Sequence, residues 1–215
     1  MLSNKHVSNY KYTIHVKTAN NVFLFNRNSI AILSVSVDGT LTLSNTITTS
    51  FNCSSISHMH DDTFLVCTLE DHQTVRTIDT HGNEGDIEHL RIPDKTYTID
   101  NSACCYIPSS QAIVFSDKEQ GTVYICGTMS GEGHETVDAK IPGPKGVCAG
   151  PLGTAFVCSE YTQSIVQISP NGEVLKSHSV DMGCPRAVAI SKDGSRLVVS
   201  NSTHGQKMIK FFIIE

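Results

Sequence analysis

An all-β propeller of about five four-stranded antiparallel blades is the fold class this sequence predicts. Three observations predict it. The segment from Pro144 returns from Pro185: Pro144 and Pro185, Val147 and Val188, and Gly153 and Gly194 are each 41 residues apart. Short apolar runs within this period are split by glycine turns, which is the pattern of a propeller blade. No stretch shows sustained helical periodicity, so almost no helix is expected.

The period extends backward through the chain. A run like Ala155–Ser159 recurs as Val22–Asn26, Thr63–Cys67, Ala112–Ser116 and Leu197–Asn201, with starts separated by 41, 49, 43 and 42 residues. About nine residues before each lies a second apolar run: Thr13–Lys17, Ile56–His60, Ala103–Ile107, Gly146–Gly150 and Ala187–Ser191. After each comes an alternating strand: Ala31–Val37, Thr74–Asp79, Thr122–Gly127, Ser164–Ser169 and Met208–Ile213. Turns then follow at Asp38–Gly39, His81–Gly82, Gly131 to Gly133 and Asn171–Gly172, dipeptides that supply the positive φ of a hairpin. Outer strands such as Thr40–Thr48 and Glu173–Val180 complete each unit.

The expected blades are 11–50, 51–93, 94–142, 143–184 and 185–215, in one domain spanning 1–215. A lone four-stranded sheet cannot bury both faces, and stacking the blades covers them. The fifth repeat reaches Glu215 straight after its third strand. Residues 3–10 are the expected outer strand, closing the ring from the other terminus and removing an exposed edge. The competing expectation is an incomplete six-bladed ring, in which an open arc exposes an apolar blade face.

Composition narrows the function classes. Charged residues are 17% of the chain, a low share that suits strand and turn. The net charge of −5 carries no broad basic footprint, so DNA binding is not expected. No apolar run approaches a membrane span, and the first fifteen residues lack the apolar core of a signal peptide. With eight cysteines and no export signal, reduced thiols and a cytoplasmic location are expected. Cys67, Cys126, Cys148 and Cys158 sit inside apolar runs and read as small core side chains. Neighbouring Cys104 and Cys105 face opposite ways on a strand and make no zinc knuckle.

The last two repeats resemble the NHL repeat. Pro144-Lys145-Gly146-Val147, Gly153, Phe156-Val157-Cys158-Ser159, Ile165-Val166-Gln167-Ile168 and Asn171-Gly172 match its pattern in order. Pro185-Arg186-Ala187-Val188-Ala189, Asp193-Gly194 and Leu197-Val198-Val199-Ser200 match it again. The wording around Cys148 and Cys158 is similar to the C-terminal propellers of invertebrate tripartite-motif proteins. That resemblance implies a propeller that recruits a target for ubiquitination. The chain has no RING or B-box cysteine–histidine spacing and no coiled-coil heptads, so ligase activity would come from elsewhere. The expected function is therefore non-catalytic recognition of a protein partner, with no cofactor.

Lys145 and Arg186 hold the same place in consecutive repeats. In an NHL-like ring they would line one rim, where some relatives bind RNA or peptides. RNA binding is the first rival reading. Polar residues end the second strands at Asn26, Thr68, Asp117, Glu160 and Asn201; such groups usually bond turn backbone. The second rival is a metal-dependent lactonase of the regucalcin kind, with Asp117, Glu160 and Asn201 as oxygen ligands. His58 and His60 share a strand face and invite a metal, but a strand end entering a polar turn accounts for them. There is no G-x-S-x-G elbow or phosphate-cradling loop in its strand–helix context.

Overall fold

The computed structural model describes residues 13–16, 21–68, 74–87, 90, 102–128, 137–191, 193–201 and 207–214. Its strands fall into four sheets of consecutive antiparallel strands. The first holds β1 (Thr13–Val16), β2 (Asn21–Val35), β3 (Leu41–His60), β4 (Thr63–Thr68), β5 (Val75–Asp79) and β6 (Glu84–Gly85). The second holds β7 (Ser102–Ile107), β8 (Ala112–Asp117), β9 (Thr122–Gly127) and β10 (Val137–Lys140). The third holds β11 (Pro144–Ala149), β12 (Ala155–Ser159), β13 (Ser164–Ile168) and β14 (Val174–Ser179). The fourth holds β15 (Pro185–Ile190), β16 (Arg196–Asn201) and β17 (Ile209–Ile213). Among the described residues the sole helical element is a 3-10 turn at Pro151–Gly153, and none is long and apolar enough to cross a membrane.

The expectation of five blades, or of an incomplete six-bladed ring, is corrected to four. The first two repeats share one sheet. Val22–Asn26 and Ala31–Val37 were expected as separate strands but run together as β2; the expected outer strand Thr40–Thr48 and inner strand Ile56–His60 run together as β3. Neither 21–35 nor 41–60 contains a glycine or proline, so nothing in them breaks an extended β-branched backbone. Register shifts between Arg27 and Ser29 and between Cys53 and Ser55 bend the long strands, as bulges do. Across the second bend β3 changes neighbour from β2 to β4. The first sheet consequently curls on itself: Phe23, Ile30, Ile32, Ile47, Phe51, Ile56, Phe64 and Ile78 form one buried cluster.

The end of β3 and strands β7, β11 and β15 are the inner strands and lie side by side. Serine hydroxyls tie the first two: the Tyr106 N–H donates to Ser57 Oγ at 3.1 Å and the Cys104 N–H to Ser55 Oγ at 3.0 Å. Each sheet packs on the next. Leu65 and Cys67 meet Ile113 and Phe115; Val114, Val123 and Ile125 meet Val147, Val157 and Val166; Phe156, Cys158 and Ile165 meet Val188, Leu197 and Val199. Burying each such side chain contributes about 1.5–3 kcal/mol. On the far side of the fourth sheet Ile209, Phe211 and Ile213 stand 65%, 75% and 80% exposed. The expected closing strand 3–10 and the glycine turn Gly131 to Gly133 lie outside the described residues.

All eight cysteines are free thiols, and six are buried. Cys148 is half-buried as a residue, but its side chain packs against the cluster between the third and fourth sheets, and that desolvation pushes its thiol up to about 12. Those of Cys105 and Cys158 are raised well above their usual value by the same cause.

Candidate functional site

Asp117, Lys145, Glu160, Arg186 and Asn201 lie at the end of the sheets where the inner strands begin and the second strands finish. Strand β12 finishes at Ser159, and Glu160 opens a tight turn to β13. That turn is held at several points. The Glu160 N–H donates to Gly143 O at 2.9 Å. Ser159 Oγ donates to Pro142 O at 2.6 Å, and Thr162 Oγ1 donates to Ser159 Oγ at 2.5 Å. Lys145 begins the adjacent strand β11, and its carbonyl accepts a 2.6 Å hydrogen bond from Ser116 Oγ of the second sheet. Lys118 enters from the turn after β8.

The three charges converge on one atom. Glu160 Oε2 lies 2.6 Å from Lys118 Nζ and 3.1 Å from Lys145 Nζ, with all three side chains only 12–17% exposed. Desolvation pushes the Glu160 carboxyl up, but the ammonium groups of Lys118 and Lys145 beside it outweigh that and leave it below its usual value. The adjacent Glu160 carboxylate raises the Lys118 ammonium against its own desolvation. Two ammonium groups and one carboxylate leave the cluster with one excess positive charge. Tyr161 lies beside it, 68% exposed, with Lys118 Nζ 5.7 Å from its ring centroid, within cation–π reach. Its ring lies over Gly143: a Cβ there would come within 2.9 Å of the ring.

Lys145 and Arg186 stand on adjacent inner strands, β11 and β15. The Lys145 ammonium turns to Glu160 of its own sheet, while Arg186 sits half-buried. The strand-ending residues also part company. Asp117 is buried and Oδ1 accepts the Gln120 N–H at 3.0 Å. Asn201 Oδ1 accepts the Met208 N–H at 2.8 Å. Both hold turn backbone, as short polar groups at strand ends do. Glu160 is the exception. Asp117, Glu160 and Asn201 each serve a different turn, and no group of three His, Cys, Asp or Glu able to hold a metal is found among the described residues. His58 Nε2 lies 2.9 Å from Asp61 O, and its ring meets Phe64 edge-on, so it belongs to the β3–β4 turn.

Lys118 and Tyr161 were not nominated from the sequence. Their signal was position: each directly follows a strand-ending carboxylate, Asp117 or Glu160.

No family model matches the chain, and no curated protein matches it. Solved structures do. A virginiamycin B lyase from Staphylococcus aureus superimposes over 97% of this chain and 72% of its own, at 15% identity and TM-score 0.61. The Cps50 (Swd1) β-propeller domain of Myceliophteria thermophila covers all of this chain and 68% of its own, at 11% identity and TM-score 0.65. This chain has a β-propeller fold. A protein of unknown function from Desulfotomaculum acetoxidans is similar over 95% of this chain and 71% of its own, at 14% identity and TM-score 0.62. At these identities the likeness concerns the fold alone.

Proposed function

We propose that this chain is a non-catalytic protein-recognition scaffold whose contact point is the Tyr161 end of the third sheet. The observation that carries the reading is the pairing of an exposed tyrosine with a tightly held Lys118–Glu160–Lys145 cluster. Aromatic anchors beside fixed charges dominate protein interfaces. Here the hydrogen bonds of Ser159, Glu160 and Thr162 already order the turn, so a partner would not have to freeze it. The tripartite-motif resemblance of Pro144–Glu215 extends the reading to recruitment of a ubiquitination target, with the ligase chemistry supplied elsewhere.

The test is affinity capture with quantitative mass spectrometry, using wild type, Tyr161→Ala, Lys118→Glu and Leu152→Ala. Leu152 is 95% exposed at the opposite end of the same strands. Capture of a defined protein by wild type and Leu152→Ala, and its loss in the other two, supports the reading. Loss only in Leu152→Ala, or no captured protein, defeats it. The RNA reading gains from the same exposed ring, since bases stack on tyrosine beside lysine. It predicts steep salt dependence and loss on joint substitution Lys145→Glu and Arg186→Glu.

A further inference from the structure

We infer that Asn171 is a self-modification site: in the folded chain its side-chain amide becomes a carboxylate, and the fold steers the product to ordinary aspartate. Water is the co-reactant, and the Gly172 backbone nitrogen is the nucleophile. Asn171 and Gly172 stand third and fourth in the turn 169–173 that joins β13 to β14. They form the sole Asn-Gly step of the sequence. The turn lies at the opposite end of β13 from Tyr161, so this inference stands apart from the recognition reading.

The turn recurs, which lets its parts be compared. Turns 36–40, 79–83 and 169–173 share one hydrogen-bond frame. In each, the first residue's N–H donates to the fifth residue's carbonyl, at 3.0, 3.1 and 2.9 Å, and the glycine N–H at the fourth place donates to the first residue's carbonyl. A side-chain oxygen of the first residue, Ser36, Asp79 or Ser169, accepts the N–H of the fifth. The third residue is where the turns differ. Asp38 accepts from Ser36 Oγ and from the Thr40 N–H. In the related turn after β15, Asp193 accepts from Ser191 Oγ at 2.5 Å and from the N–H and hydroxyl of Ser195 at 3.1 and 2.8 Å. Those bonds hold both carboxyls below their ordinary value, that of Asp193 at about 2. An ionised, pinned carboxylate is a poor electrophile, so these two Asp-Gly steps persist. Asn171 has no such restraint. Its N–H donates to Ser169 Oγ at 3.2 Å, and among the described residues its side chain bonds to nothing. It is exposed, its amide is neutral, and Gly172 puts no side chain in the way of attack.

The step balances without an oxidant or a reductant. The 3.0 Å bond from the Gly172 N–H to Ser169 O opens first, a local event at an exposed hairpin tip. The Gly172 nitrogen then bonds to Asn171 Cγ, the Cγ–Nδ2 bond breaks, and ammonia leaves with the Gly172 proton. Water opens the resulting cyclic imide at one of its two C–N bonds. Opening at Cγ restores the main chain as aspartate. Opening at the backbone carbonyl routes the chain through Cβ and Cγ as isoaspartate. The frame of the turn tells these products apart. Isoaspartate adds a carbon to a main chain that residues 169 and 173 already close by a 2.9 Å bond, and it strains that closure. Aspartate fits, and its carboxylate takes the place of Asp38, in reach of the Glu173 N–H that Ser169 Oγ holds at 3.1 Å, as short acidic side chains bond turn backbone. Isoaspartate recyclises from the strained turn and pinned aspartate resists doing so, so aspartate accumulates.

The test is peptide mapping after incubation in mildly alkaline heavy-oxygen water. Trypsin releases 146–176, in which Asn171 is the sole asparagine, and electron-transfer fragmentation separates aspartate from isoaspartate. Folded wild type takes up one heavy oxygen at residue 171 before any other asparagine reacts, with aspartate in excess. Wild type unfolded in guanidinium chloride reacts there with isoaspartate in excess, so folding inverts the product ratio. Asn171→Asp takes up no label over the same time. A folded chain that stays unlabelled at residue 171 overturns the inference, because the turn then shields the nucleophile. So does isoaspartate in excess in the folded chain, another asparagine reacting first, or labelling of Asn171→Asp at the wild-type rate.

Discussion

Gly146→Ala tests how closely the inner strands approach. A Cβ at Gly146 would lie 2.4 Å from the Arg186 carbonyl oxygen and 2.8 Å from Ala187 Cα. Both obstacles are backbone of β15, so no side chain can swing away. Carbon atoms rest about 3.5–4.0 Å apart, so β11 and β15 must separate by roughly 0.7 Å or more. That separation would loosen the Phe156–Val188–Leu197 cluster that joins the third and fourth sheets. Overpacking of this kind costs about 1–3 kcal/mol, and backbone obstruction puts Gly146→Ala near the upper end. At about 2–4 °C per kcal/mol for a chain of this size, the melting temperature falls by roughly 5–10 °C. The assay is thermal unfolding followed by circular dichroism, with Gly194→Ala as comparator. Gly194 has nothing within 4 Å but a φ of +73°, so its substitution carries only left-handed strain of about 1–2 kcal/mol. If Gly146→Ala melts no lower than Gly194→Ala, the close-approach reasoning is refuted.

Glu160→Gln leaves two lysines facing each other and destabilises the fold by about 1–3 kcal/mol, a figure kept below that of fully buried pairs because the site is partly wet. The sign with pH follows from the shifts. The lowered Glu160 carboxyl contributes stability above its ordinary 4.5 that is lost as pH falls through its folded value. The raised Lys118 ammonium contributes stability below 10.5 that is lost as pH rises through its folded value. Urea melts should therefore show both flanks flattened in Glu160→Gln relative to wild type. Calcium titration should leave the wild-type melting temperature unchanged, because Glu160 is already held by two cations; a rise with added metal would return the lactonase reading. Alkylation with iodoacetamide near pH 8 should spare Cys105, Cys148 and Cys158, whose thiols are pushed far above that pH; Cys184→Ser should remove the fast-reacting equivalent, read by intact mass. Leu152→Asn should raise stability by about 0.5–1 kcal/mol, since Leu152 holds φ 55° while 95% exposed and asparagine tolerates that conformation better.

The 41-residue recurrence made the third and fourth sheets legible to within a residue or two: Ala155–Ser159 was expected and is β12, and Leu197–Asn201 became β16. Glycine turns at Asn171–Gly172 and Asp193–Gly194 punctuate both. The first sheet was misread for the complementary reason. Recurrence suggested breaks near Arg27 and Cys53, yet no glycine or proline stands at either place, and the chain bends through bulges instead. At the site, Lys145 and Glu160 were visible singly. Their meeting was not, because Lys118 is 42 residues from Glu160 in the chain and reaches it only when the second and third sheets stack.

Every strand pairing among the described residues joins strands adjacent in sequence. Each sheet can therefore be complete as soon as its last strand leaves the ribosome, before any later sheet exists. Growth is vectorial, every finished unit templating the one after it, and the loop-closure cost stays small.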